Sequence, residues 1–391
     1  MTGAEVVSLG CRLNLAESER IRALLGATPD VVVVNSCAVT AEAVRQTRQA
    51  IRRLRQARPD ARLLVTGCAA DIEREQLAAM PEVDGLVPNA AKLDARAWNV
   101  PASPAPVPSS HTRAFIAVQN GCDHACTFCV IPQGRGPSRS LTVAQVLREV
   151  ERHLERGAAE VVLTGVDVTS WGHDLPGSPR LGALVRAILE AFPRLQRLRL
   201  SSLDGVEVDG ELFELFAGEP RVMPHIHLSL QHGHDLILKR MKRRHSRADA
   251  ASLVERLRAR RPEIAIGADL IAGFPTEDEA MHHANRAIVR ELGIVHGHVF
   301  PYSRRPRTPA ERMPQVDKAA IKRRAAELRE TAAEVRQTWL RSLVGQPLSV
   351  LAESDGTGHA TNFARVAVPQ EVAPGTLVEL TPTAIAGGLL Q

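Results

Sequence analysis

Aromatic side chains are scarce in this sequence: phenylalanine, tryptophan and tyrosine make up 3% of its 391 residues, and there is one tyrosine. Alanine and arginine recur throughout instead, a compositional bias with no functional content of its own. Long apolar runs are missing too. None reaches the ~20 residues needed to span a bilayer, and Met1-Thr2-Gly3-Ala4-Glu5 has neither the basic nor the apolar region of a signal peptide. The expectation is a cytoplasmic protein with no membrane partner. Cysteine is limited to six residues. In a long chain of a reducing compartment, so few thiols suggest metal or redox chemistry and not a disulfide framework. Neither sign of charge dominates: the formal net charge is +5, so where charge sits matters more than its sum. Hydrophobic residues are 44% and charged residues 24%, enough for sizeable cores in two or three domains.

The cysteines are far from evenly spread. Three lie in Gln119-Asn120-Gly121-Cys122-Asp123-His124-Ala125-Cys126-Thr127-Phe128-Cys129, a C-x3-C-x2-C pattern. The apolar run Phe115-Ile116-Ala117-Val118 before it reads as a strand, so the thiols sit on a loop leaving a strand end. Three thiolates on one loop can hold three corners of a cubic iron–sulfur cluster and leave one iron for a substrate or cofactor. A structural zinc ion would want a fourth nearby ligand, and His124 is poorly placed between two of the cysteines. A disulfide cannot use three cysteines evenly. Buried or chance thiols are the plain alternative.

The other three cysteines are far apart in sequence but share a context. Residues 1–98 read as a small α/β domain with strands at 5–9, 31–34 and 63–66 and helices from Gly10 to Ile21, up to Arg58, and up to about Met80. Alternating strands and helices imply a parallel sheet. Cys11, Cys37 and Cys68 each follow a strand and precede a helix, so topology brings them to one sheet edge, where ligands bind. Small residues chosen for tight turns are the plain alternative, but Ser or Ala would serve there; a second iron–sulfur cluster with three protein ligands explains why all three are cysteine.

Residues 99–111 form a Pro-rich linker. From 112 to about 310 the pattern predicts strands at 114–118, 160–164, 196–200, 225–230, 264–271 and 294–300 with helices between them. Six βα units suggest a partly open parallel barrel, whose active site belongs at the carboxyl ends of the strands. Gly165, Val166 and Asp167, then Ser201, Gln231 and Gly273-Phe274-Pro275 follow successive strands there, as ligand contacts or as ordinary turn residues. His225 and His227 alternate onto one strand face, where hydrogen-bonded histidines are the expectation ahead of a metal. Residues 342–391 read as a small all-β module.

The central loop, with Phe128 before its last cysteine, resembles the motif of the radical S-adenosylmethionine (SAM) enzymes. The segments Gly10-Cys11-Arg12-Leu13-Asn14, Asn35-Ser36-Cys37-Ala38-Val39-Thr40 and Val65-Thr66-Gly67-Cys68 resemble the three cysteine motifs of their methylthiotransferase family. Leu163-Thr164-Gly165-Val166-Asp167-Val168-Thr169-Ser170-Trp171-Gly172 is most similar to its tRNA threonylcarbamoyladenosine branch, less so to the isopentenyladenosine and ribosomal-protein branches. The resemblance implies the fold: an α/β chain with an N-terminal parallel α/β domain (1–98), a central partial (β/α)6 radical SAM barrel (112–341) and a C-terminal module (342–391) like the RNA-binding TRAM domain. It also implies two [4Fe-4S] clusters, a catalytic one on Cys122, Cys126 and Cys129 and an auxiliary one on Cys11, Cys37 and Cys68. SAM would be cleaved at the first, with Phe128, Gly165, Val166, Asp167, Ser201 and Gln231 as cofactor contacts. The implied reaction is methylthiolation of carbon-2 of N6-threonylcarbamoyladenosine beside a tRNA anticodon, with an electron donor such as flavodoxin or ferredoxin and a sulfur donor as further partners. A non-catalytic iron–sulfur RNA-binding or redox-sensing protein would keep the same cysteines without needing SAM.

Charge points the same way. Lys239-Arg240-Met241-Lys242-Arg243-Arg244-His245-Ser246-Arg247 holds no acid, and Lys318 to Arg341 reads as a basic helix containing Lys322, Arg323 and Arg324. Such runs favour a polyanionic partner. The C-terminal module does not: beyond Ser342 its one Lys or Arg is Arg365, against Glu353, Asp355, Glu371 and Glu379.

Overall fold

The computed structural model describes residues 4–26, 28–100 and 112–391. The expected linker, apart from Asn99 and Val100, lies outside the described residues. Two compact units divide the chain. The first takes in the described parts of Met1–Ser110 with Gln119–Arg139 and Ser303–Glu311; the second takes in the described parts of His111–Val118 with Ser140–Tyr302 and Arg312–Gln391.

The first unit begins with β1 (Glu5–Ser8), α1 (Arg12–Leu25), β2 (Val31–Ser36), α2 (Ala41–Ala57), β3 (Arg62–Gly67), α3 (Cys68–Ile72), α4 (Arg74–Ala78) and β4 (Gly85–Leu86). The strands form one parallel sheet in the order β1-β2-β3-β4. All of β2 is buried. Val32 and Val34 pack with Val65 and Ile51 in one core, Val31 and Val33 with Leu64 and Ile21 in another. Burial on both faces is why this strand reads as an unbroken valine run without alternation. Thr40 caps α2 by accepting from the Ala43 amide. The helix expected to run to Met80 is broken at Glu73, whose backbone leaves the helical region (φ −113°, ψ 31°). There its carboxylate accepts a 2.8 Å hydrogen bond from buried Arg305 of the Ser303–Glu311 segment.

In chain order come β5 (Arg113–Ala117), then β6 (Gln119–Asn120), α5 (Ile131–Arg135) and β7 (Arg139–Ser140), which bracket the cysteine loop. The second unit continues with α6 (Val143–Leu154), β8 (Glu160–Thr164), α7 (Leu181–Ala191), β9 (Arg197–Leu200), α8 (Gly210–Gly218), β10 (His225–Gln231), α9 (Asp235–Arg240), α10 (Arg247–Arg260), β11 (Ala265–Ala272), α11 (Glu279–Glu291), β12 (Ile294–Pro301) and α12 (Lys318–Leu343). Strands β5-β8-β9 and β10-β11-β12 make two parallel sheets, joined by a bridge between Leu203 and Leu228. This is the partial six-stranded barrel. Alternate residues such as Val161 and Leu163, Ile226 and Leu228, and Ile266, Ala268 and Leu270 pack in one apolar core with the helices. The six strands fall within one or two residues of their expected positions, because the period-2 pattern is strong. Helix α9 was not legible within the basic run; His234 caps it by accepting from the Leu236 amide.

The C-terminal strands β13 (Leu348–Ala352), β14 (Thr357–Ala360), β15 (Arg365–Ala367), β16 (Leu377–Leu380), β17 (Ile385–Ala386) and β18 (Leu389–Leu390) form a single sheet in the order β16-β13-β14-β15-β18-β17. This TRAM-like module meets the amino-terminal ends of the barrel strands. Arg197, first in β9, donates to the Ser349 and His359 carbonyls at 2.7 and 3.1 Å. Arg199 donates to the Thr361 carbonyl at 3.2 Å and to Glu160, first in β8, at 2.9 Å. Phe363 stacks on His225 and His359, with ring centroids 4.9 and 4.5 Å away, and the Arg199 guanidinium lies 4.8 Å from its centroid.

Glu160 is fully buried and faces two buried arginines. Glu160→Gln therefore leaves uncompensated charge in the interior and should cost about 3–5 kcal/mol of stability, read as a fall in the denaturant midpoint. Arg365→Gln, which breaks a pair with both side chains 49% exposed, should change stability by no more than about 1 kcal/mol.

Candidate active site

Parallel pairing delivers the first cysteine triplet. Cys11 is the N-cap of α1, Cys37 follows β2 directly and Cys68 opens α3 after β3, so all three occupy the carboxyl edge of one sheet. Gly10 makes the approach possible: at φ +100°, a Cβ there would stand 2.6 Å from the Cys37 Cβ and 2.9 Å from its sulfur. Cys37 and Cys68 are buried and Cys11 is exposed. Burial pushes the Cys37 thiol up to about 11 and raises Cys68 as well, while the cations Arg135 and Lys92 pull Cys68 back down.

The second triplet sits on a loop pinned at both ends. Cys122 N–H donates to the Gly136 carbonyl at 3.1 Å, and Gln119 Nε2 donates to Ser138 Oγ at 2.9 Å. Gly121, at φ +77°, tolerates no side chain, since a Cβ would lie 1.9 Å from the Pro137 oxygen. Cys122, Cys126 and Cys129 are half-buried, as is Phe128. The backbone N–H of His124 donates to Cys122 Sγ and that of Ile131 to Cys129 Sγ, both at 3.4 Å. Three thiols on one loop, two of them with amide donors to their sulfurs, are a donor set that fits an iron–sulfur cluster. Both triplets fall in the first compact unit.

The same unit holds a buried ionic network that sequence reasoning missed. Glu17 of α1 accepts from Lys92 at 2.5 Å and from Arg135 of α5 at 2.9 and 3.0 Å. Arg135 also donates to Asn120 at 2.7 Å and to Asn14, and Lys92 to Asn35 at 3.3 Å. No side chain of the three charged residues is more than 3% exposed.

The remaining expected site residues lie on the carboxyl rim of the second unit. Gly165, Val166 and Asp167 follow β8, Ser201 follows β9, and Gln231 ends β10 with a left-handed backbone (φ +69°). Asp167 accepts from Ser170 Oγ at 2.7 Å, and Ser170 also donates to buried Glu207 at 3.2 Å. After β11, the Gly273 and Phe274 amides donate to buried Glu277 at 2.8 and 3.1 Å. Glu277 was not anticipated; its position four residues past a rim glycine was the available signal. His227 and His298 each approach Asp269, at 3.1 and 3.2 Å. Burial would raise the Asp269 carboxyl, but these imidazoles more than reverse that and hold it well below the usual carboxylate range. For His227 this is the expected hydrogen-bonded histidine; His225 stacks on Phe363 instead.

The basic runs need correcting. Arg324 is buried and donates to the Glu277 carbonyl at 2.7 Å and to Glu279 at 2.8 Å. Arg323 pairs with Glu279 and Glu327 at 2.6 and 2.8 Å. In the other run, Arg243 and Arg244 bind Asp204 at 2.9 and 3.1 Å, and Arg240 donates to Thr276 at 2.8 Å. Most of these arginines fasten loops and helices together. The exposed lysines Lys239, Lys242, Lys318 and Lys322 remain for an outside anion.

Comparison with known proteins agrees with this geometry. Residues 116–287 match the Radical SAM superfamily and residues 4–88 match the Uncharacterized protein family UPF0004. A Rickettsia prowazekii protein named threonylcarbamoyladenosine tRNA methylthiotransferase MtaB is 42% identical over 99% of this chain and 96% of its own length. A Cereibacter sphaeroides protein named tRNA-2-methylthio-N(6)-dimethylallyladenosine synthase is 33% identical over 90% of this chain and 87% of its own. Among solved structures, the radical SAM methyltransferase TsrM from Kitasatospora setae, with cobalamin and a [4Fe-4S] cluster bound, superposes with a TM-score of 0.54 at 17% identity. That match covers 76% of this chain and 68% of that one, and it is a likeness of fold. The radical SAM fold implies SAM and one [4Fe-4S] cluster. Among the described residues, no helix is long and apolar enough to cross a membrane.

In the metal-free protein, exposed Cys11 should alkylate ahead of the two buried cysteines of its triplet. At pH 8 the thiolate fraction of Cys37 is about a hundredfold below that of a thiol at the ordinary 9.0, since its own value is about 11. Timed iodoacetamide labelling with peptide mass spectrometry should find Cys11 modified well before Cys37 and Cys68.

Proposed function

The chain belongs to the radical SAM methylthiotransferase family, and on that footing we propose that it methylthiolates carbon-2 of N6-threonylcarbamoyladenosine beside a tRNA anticodon, in the cytoplasm. The carrying observation is that both cysteine triplets fold into one compact unit. The 42% relative, aligned over nearly the whole chain, bears the threonylcarbamoyladenosine name, and this favours that substrate over dimethylallyladenosine.

Cys122, Cys126 and Cys129 would hold the SAM-binding cluster, and Cys11, Cys37 and Cys68 a second [4Fe-4S] cluster. When bound, these groups and SAM supply the radical chemistry that an unactivated aromatic C–H requires and the sulfur that replaces its hydrogen. The protein's part is to hold, orient and enclose. The pinned loop fixes three sulfurs and places Phe128 beside the last. Gly165, Val166, Asp167, Ser201 and Gln231 offer backbone and side-chain polar groups at the strand ends for SAM. A low-potential electron donor such as flavodoxin or ferredoxin and a separate sulfur donor complete the system.

Mass spectrometry of tRNA nucleosides from a strain lacking the protein tests the reaction. Loss of 2-methylthio-threonylcarbamoyladenosine is the expected result; loss of the isopentenyl product instead would reassign the substrate. The anaerobically reconstituted protein should bind about eight irons, four per cubic cluster. A Cys37→Ala variant should still yield 5′-deoxyadenosine on reduction but no methylthio nucleoside. Normal product from that variant would remove the N-terminal cysteines from the chemistry.

The exposed lysines are the expected phosphate contacts. Lys322→Gln should flatten the salt dependence of tRNA binding by roughly 0.7 in log–log slope if it loses one single-strand contact. Arg324→Gln should lower the thermal midpoint and leave the slope in place. The reverse pattern would return the phosphate-binding role to the arginine.

A further inference from the structure

We propose that Arg135 and Lys92 are positioning residues that supply the counter-charge of an N-terminal iron–sulfur cluster and raise its reduction potential. The inference rests on the second cluster proposed above and adds what governs it.

Charge count is the first observation. Glu17 contributes one negative charge; Lys92 and Arg135 contribute two positive charges, all essentially sealed from solvent. With Lys92 protonated, one positive charge is left over among these three; burial and the Arg135 cation push the Lys92 ammonium down, and half-buried Asp71 is a further carboxylate that it feels. An uncompensated buried charge is strongly unfavourable, so the network calls for an anion beside it. The second observation is what stands there. Gly134, the residue before Arg135, is packed on Cys68: a Cβ added to it would lie 3.3 Å from the Cys68 Cβ and 3.0 Å from Ile72. Asn14, which accepts from Arg135, itself donates to the Ser36 carbonyl at 3.0 Å, immediately before Cys37. Lys92 reaches the side chain of Asn35 on the same strand end. The arginine is thus held beside the chain segments that carry Cys37 and Cys68.

The chemistry then balances. An oxidised cubic cluster core of charge two plus, held by three thiolates, carries a net charge of one minus, which the excess cation neutralises. One electron from a low-potential donor takes it to two minus; no bond breaks and no proton moves. A fixed cation in a low-dielectric site favours the more negative state and raises the potential. Because Arg135 lies on the helix that follows Cys129, the loop carrying one triplet also sets the charge around the other.

The test uses the full chain with Cys122→Ala, Cys126→Ala and Cys129→Ala, so that iron bound to Cys11, Cys37 and Cys68 is observed by itself. Its potential is measured by mediated titration followed by electron paramagnetic resonance. Arg135→Gln should shift the one-electron equilibrium at least tenfold toward the oxidised form, about 59 mV lower. The variant keeps Glu17 paired with Lys92, so the interior stays neutral. Lys92→Met, which keeps Glu17 paired with Arg135, should shift it in the same direction and provides a second, independent route should the first variant not fold. Arg135→Lys keeps the charge without the fork and should restore the parent potential. Unchanged potentials in both neutral variants would overturn the inference. No iron–sulfur signal in the parent would overturn the second cluster itself, and the inference with it.

Discussion

Parallel strand pairing is the constraint on which the candidate site depends. Whenever a strand is followed by a helix and then by a parallel neighbour, every strand's carboxyl end falls on the same edge. In the first unit this turns Cys11, Cys37 and Cys68, widely separated in sequence, into neighbours, with Gly10 and Gly67 removing the side chains that would keep the strand ends apart. In the second unit it gathers Asp167, Ser201, Gln231 and the Gly273 turn on one rim. Antiparallel pairing of any one strand would send its residue to the opposite edge.

The same directionality gives the two ends of the barrel different work. The amino-terminal ends carry Arg113, Glu160, Arg197 and His225, and here the C-terminal module inserts Phe363 and offers carbonyls from its loops. The module's shortage of cations is understandable on these terms. Positive charge at the junction comes from the barrel, and the module supplies acceptors and an aromatic face, with Glu353 pairing to Arg113 at 2.9 Å. Of its acids, Glu353 faces the barrel, Asp355 pairs with Arg365 inside the module, and Glu371 and Glu379 are exposed.

Strand positions, the six-fold repeat and the cysteine edge were legible in the sequence because each rests on a short-range periodic signal. Three features were not. Cohesion of the cysteine loop with the N-terminal residues depends on contacts such as Asn89 to the Gly134 carbonyl, 45 positions apart, which no local pattern announces. The role of the arginines was misread because a run of cations says nothing of carboxylates that fold against it: Arg324 meets Glu277 and Glu279, and Arg243 meets Asp204, each some 40 residues away. At the break, Glu73 meets Arg305, supplied by a distant segment. Sequence reading finds where chemistry-bearing residues stand on elements; it does not find their partners.

That distinction separates two kinds of cation in this protein. An arginine whose carboxylate partners balance it, such as Arg199 with Glu160, is satisfied by the fold and can be argued entirely as structure. Arg135 is not balanced in this way: it shares the buried carboxylate of Glu17 with Lys92, at the strand ends that carry the cysteines. A neutral amide at position 92 has enough N–H donors for the two acceptors that Lys92 serves, and would have avoided the desolvation of a second cation. Retaining two buried cations for one carboxylate is therefore a cost that the folded chain recovers when negative charge is added at the cysteines. On this argument the N-terminal unit is built for its charged, loaded form, and the stability of the empty form should not be read as that of the working protein.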